Sequence, residues 1–104
     1  MKDILKKAIE AYDDFRLDEA EELLLEIIDK KEGALDVALS YLGRIRYKNQ
    51  KFGEAINCYN KALEINPDND FAKTGITLIN QITAIGNSFY FENAYTDDEL
   101  IPNL

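Results

Sequence analysis

The chain contains no histidine, no tryptophan, one cysteine and one methionine. Without histidine it cannot assemble a Ser-His-Asp or Cys-His catalytic system from its own residues. The lone Cys58 can form no intrachain disulfide, which fits a reducing compartment, and it has no histidine to activate it. It reads as a structural residue. There is no Gly-rich phosphate loop and no Cys/His metal cluster. No run of about 18 apolar residues is present, so no transmembrane helix is expected. The segment Met1–Lys7 lacks the apolar core of a signal peptide, and a cytoplasmic location is the expectation. Basic residues are outnumbered, with 12 Lys and Arg against 20 Asp and Glu, a net charge of −8 and a pI near 4.4. That balance argues against nucleic acid and anionic membranes as partners. No catalysis, cofactor or metal is expected.

The composition that remains is that of one globular domain: 104 residues, 46% hydrophobic and 31% charged. The charge is uneven. Residues 1–35 carry 11 acids and 6 bases, residues 36–69 carry 4 and 5, and residues 70–104 carry 5 and 1. The middle of the chain is its least acidic part.

Residues 17–28 and 52–63 repeat each other, with Glu19-Ala20 matched by Glu54-Ala55 at an offset of 35 residues. A period in this range signals stacked helical hairpins. Helical spacing of Ile4, Ala8, Ala11, Tyr12 and Phe15 predicts a first helix over 2–15. A second is predicted over 18–31, capped by Asp18 and packing through Ala20, Leu24, Ile27 and Ile28, with Gly33 as the break. A third runs from Asp36 to Asn49 with Leu39, Leu42, Gly43 and Arg46 inward. A fourth, over 53–65, packs through Ala55, Ile56, Tyr59, Ala62 and Leu63 and stops at Pro67. The stretch Asp68-Asn69-Asp70 caps a fifth helix with the stripe Phe71, Gly75, Ile76, Ile79, Ile82 and Ile85. It ends at Gly86-Asn87 or continues through Ser88–Phe91.

Residues 36–69 resemble the tetratricopeptide repeat, a helix–turn–helix unit of 34 residues. The resemblance rests on Leu39, Leu42 and Gly43 in the first helix, then Phe52, Ala55, Tyr59, Ala62 and Pro67. Gly43, Ala55 and Ala62 let backbones approach closely, and the large residues fill the space between. Arg46 departs from the family's preference for Tyr, and its charge is expected to snorkel outward. Residues 1–35 read as a degenerate copy through Ala8, Leu17, Ala20 and Leu24. In that copy Lys7, Ile27 and Glu32-Gly33 replace the Leu, the second Ala and the proline. Residues 70–91 resemble the family's closing helix, and 92–104 form an irregular tail. The resemblance implies an all-α fold: a short right-handed α-solenoid of two helix–turn–helix repeats plus a C-terminal closing helix, in a single domain over 1–104.

In that family the first helix of each hairpin lines a concave groove. The matching residues are Lys2, Leu5, Lys6, Ile9, Tyr12 and Asp13 in one hairpin. In the other they are Val37, Ser40, Tyr41, Arg44, Tyr47 and Lys48. This implies a non-catalytic scaffold that binds a protein or peptide segment, with Tyr12, Tyr41 and Tyr47 as anchors. Lys2, Lys6, Arg44 and Lys48 would suit an acidic partner. A plain solvated face is the competing reading, and self-assembly through helix edges or the tail is the alternative function. Leu5, Ile9, Tyr41 and Arg44 lack the Lys/Asn pattern by which some relatives clamp a partner's C-terminal carboxylate. The acids Asp18, Glu19, Glu21, Glu22 and Glu26 read as the solvated outer face of the second helix. Phe89, Tyr90, Phe91, Tyr95, Leu100, Ile101 and Leu104 make the tail too apolar for water. It is expected to dock on its own chain or on a second copy, giving a homodimer, with a frayed end as the alternative.

Overall fold

The computed structural model describes residues 2–31 and 33–90. Five helices follow in order: α1 (Lys2–Asp13), α2 (Leu17–Lys30), α3 (Leu35–Lys48), α4 (Phe52–Ile65) and α5 (Asp70–Tyr90). They stack as two antiparallel hairpins and a closing helix, with α3 in contact with all four others. No strand occurs among the described residues.

The 35-residue period is built into the backbone. Phe15 and Gln50 both have φ 63. Each ends its helix in a Schellman motif: the amides of Phe15 and Arg16 donate to the carbonyls of Tyr12 and Ala11, and those of Gln50 and Lys51 to Tyr47 and Arg46. The next helices start alike, from Arg16 (φ −87, ψ 69) and Lys51 (φ −94, ψ 72). Neither start carries a side-chain cap, so Asp18 lies inside the first turn of α2 and does not cap it.

Small side chains set the helix spacing. Ala8, Ala11, Ala20, Ala38, Ala55, Ala62 and Ala72 are all fully buried. Leu24, Ile27, Leu42 and Ile45 fill the core among α1, α2 and α3, while Leu39, Tyr59 and Ile79 fill the second core against α4 and α5. Tyr59 is the central wedge. A Cβ on Gly43 of α3 would lie 2.6 Å from its Cε1, and one on Gly75 of α5 would lie 2.4 Å from its Cζ. Both helices need a residue without a side chain where they meet the ring.

Several expectations are corrected. The first helix stops at Asp13, because the Schellman turn places Phe15 in the left-handed region and leaves it 76% exposed. Arg46 does not send its charge into water. Only 18% of its side chain is exposed, and it pairs with Glu21 of α2 at 2.9 Å and Glu54 of α4 at 3.2 Å. Glu21 is therefore held at the seam between hairpins and is not part of a freely solvated face. Ile82 is 39% exposed, because α4 covers the early turns of α5 through Ala72, Ile76 and Ile79. The fifth helix passes through Gly86-Asn87 and continues to Tyr90. The expectations for the tail, 92–104, lie outside the described residues. No described helix is long and apolar enough to cross a membrane.

Candidate partner-binding face

Helix α4 ends where Pro67 forces Asn66 into an extended conformation (φ −140, ψ 96). Asn66 Oδ1 accepts the Asp68 amide, which turns the chain back towards α3. Asn69 then caps α5, its Oδ1 accepting the Ala72 amide at 2.9 Å. Its Nδ2 donates to Asp36 Oδ2 and to Ser40 Oγ, each at 3.0 Å. Asn66 Nδ2 also donates to Asp36 Oδ2, at 3.1 Å. This network fastens the first turn of α5 to the first turn of α3 and fixes where Phe71, in the second residue of α5, points.

Phe71 starts a continuous row of rings and cations. Its ring lies 5.0 Å from Tyr41, and Tyr41 lies 5.3 Å from Tyr12 at an interplanar angle of 76°. Arg44 Cζ sits 4.5 Å above the Phe71 ring. Lys48 Nζ stands between two rings, 5.6 Å from Tyr12 and 5.8 Å from Phe15. Contacts of this kind contribute about 0.5–2 kcal/mol each. They also hold long cationic side chains still, so less freedom is lost when an anion arrives.

Tyr59 supports the row from below. Its hydroxyl and Arg44 Nε are both buried without a hydrogen-bond partner among the described residues. Burial pulls the Arg44 pKa down, but interaction with the Tyr59 and Tyr12 hydroxyls outweighs it and the guanidinium ends above its ordinary value. Burial pushes the phenols of Tyr12, Tyr41 and Tyr59 up. For Tyr59 the folded state therefore holds the phenolic proton more tightly than the unfolded chain, where it titrates near pH ~10. Its contribution to stability is complete below that pH and is lost as pH rises through the folded-state value. Tyr59→Phe should flatten the loss of thermal stability recorded between about pH 9 and 11.5. Identical alkaline curves for the two proteins would show that this phenol is not held.

The family model of the tetratricopeptide repeat matches residues 37–69. Residues 37–69 are a tetratricopeptide repeat. No curated protein and no solved structure matches the chain. Repeats of this family generally mediate protein–protein interaction and are typically non-enzymatic. Among the described residues, no group of His, Cys, Asp or Glu could hold a metal ion.

Of the twelve residues expected to line a groove, the structure brings together Tyr12, Tyr41, Arg44 and Lys48. Three of these lie on the first helix of the matched repeat. Ser40, on the same helix, is 1% exposed: it sits under the start of α5, donating to the Asp36 carbonyl and accepting from Asn69, so it is no surface contact. Tyr47 packs on Phe52 at the repeat's own turn, ring centroids 5.8 Å apart, and stands apart from the row. Leu5, Lys6 and Ile9 form, with Glu10, a separate shallow trough on α1. The side chain of Lys2 lies outside those described.

Two members of the row were missed by sequence reasoning. Sequence spacing places Phe71 on the inner stripe of α5 and counts Phe15 only in the helical periodicity of the first helix. The signal for Phe15 lies 35 residues later, where Gln50 falls between the predicted third and fourth helices. The Cys58 thiol is pushed up by burial, in keeping with a structural role.

Proposed function

We propose that this chain is a non-catalytic scaffold whose face formed by α1, α3 and the start of α5 binds an acidic peptide segment of a partner protein. The observation that carries this reading is the row itself. In a chain of net charge −8, Arg44 and Lys48 are stacked on rings of the same face, and neither forms an ion pair among the described residues. Local field, not net charge, sets what such a face attracts. The first hairpin, residues 1–35, completes the face as a diverged second repeat, supported by the matching turns at Phe15 and Gln50.

A random-peptide display library selected on the intact protein tests the reading. Peptides rich in Asp and Glu should be recovered, and their affinity should fall as salt is raised from about 0.05 to 0.5 M. Lys48→Glu, at an exposed position, should weaken them by about tenfold or more without loss of folding. Recovery of basic peptides, or indifference to Lys48→Glu, would overturn the proposal.

A further inference from the structure

Phe15 stands at the open end of the row. The residue is three-quarters exposed, and among the described residues its ring has no stacking partner beyond the Lys48 ammonium 5.8 Å from its centroid. Its backbone has φ 63, a conformation that bulky residues rarely adopt and that Gly or Asn tolerates far better. The same site in the next hairpin holds a polar residue, Gln50, also exposed. The turn therefore requires neither an aromatic nor an apolar side chain, and folding gains little from a phenyl ring left in water. The other aromatic residues of the row are each partly or fully covered. Tyr12 meets Tyr41, Tyr41 meets Phe71, and Phe71 meets Arg44.

We propose that Phe15 is an anchor for the partner, taking an aromatic or branched aliphatic side chain that flanks an acidic residue in the bound segment. The inference rests on the reading of this face as a site for acidic peptides. Lys48 carries the geometry. An acid that meets its ammonium lies near both the Tyr12 and Phe15 rings, and of the two Phe15 is the more exposed, with Tyr12 half-buried against Tyr41. Burying that surface between two apolar groups recovers the hydrophobic stabilisation that the free protein forgoes. Exposed aromatic residues at such positions are where binding energy concentrates.

The test uses the full chain and peptides selected on it from the random library. Phe15→Asn should weaken the selected peptides roughly tenfold, and should leave the melting temperature equal or a few degrees higher, because Asn accepts the left-handed turn. Phe15→Tyr should keep the affinity, and Gln50→Ala, in the equivalent turn, should leave it unchanged. Peptides that bind through Lys48 but ignore Phe15→Asn would overturn this inference and leave the acidic-peptide reading standing. Peptides indifferent to both Lys48→Glu and Phe15→Asn would overturn both. A fall in melting temperature with Phe15→Asn would show that the ring serves the fold, and would also overturn it.

Discussion

Gly75→Ala is expected to lower stability by about 3 kcal/mol, although alanine is the better helix former by about 1 kcal/mol. The added Cβ would lie 2.4 Å from Tyr59 Cζ and 2.5 Å from Cε2. The ring has little room to retreat, because Gly43 of α3 lies against it too, so close that a Cβ there would be 2.6 Å from Cε1. Either the ring leaves its slot or α5 lifts from α3 and α4. Removing only the hydroxyl would not help, since the close atoms belong to the ring. Tyr59→Leu should therefore partly rescue Gly75→Ala, so that the double variant is more stable than the sum of the single effects allows. Denaturant unfolding of the four proteins measures this coupling. Additive losses would mean that the clash is relieved elsewhere.

Asn69→Ala should cost a comparable amount, about 3 kcal/mol. It removes the cap of α5, worth about 1 kcal/mol. It also removes a hydrogen bond to the Asp36 carboxylate, which keeps Asn66, and one to the buried Ser40 hydroxyl, which is left without a donor, at about 1–3 kcal/mol. The damage should be local. Amides of α5 should lose hydrogen-exchange protection well before those of α1 and α2. The face should suffer with it, because Phe71 follows the cap by two residues and seats Arg44. Peptide affinity should fall even though Asn69 touches no ligand. Uniform loss of protection across all five helices would refute the local account.

The fold was legible because its signals are short-range and periodic. Ala55, Tyr59, Ala62 and Pro67 each mark one packing requirement at one register, and helix ends were placed within about two residues. Errors arose where a partner far along the chain decided the outcome. Arg46 reads as a misfit in its own helix and makes sense only beside Glu21, 25 residues earlier. Ser40 has the spacing of a groove residue, but Asn69, 29 residues later, draws it inside. The candidate face was half legible for the same reason. Tyr12, Tyr41, Arg44 and Lys48 share helical sides that spacing can show. Phe71 joins them only through the cap network, and Phe15 through a turn whose handedness depends on the backbone.

The pairing at Arg46 also bears on how such a chain can grow or be rearranged. The position equivalent to Glu21 in the second hairpin, 35 residues on, is Ile56. If the second hairpin were duplicated and stacked on itself, the following arginine would meet an isoleucine in place of an acid. The copied arginine would keep only the exposed Glu54 of its own hairpin and lose the closer, better covered of its two partners, which destabilises the stack. The two hairpins are thus addressed to each other: the first carries the acid, the second the base, and reversal or duplication breaks the match. Covalent order and charge specify the same neighbour at this seam.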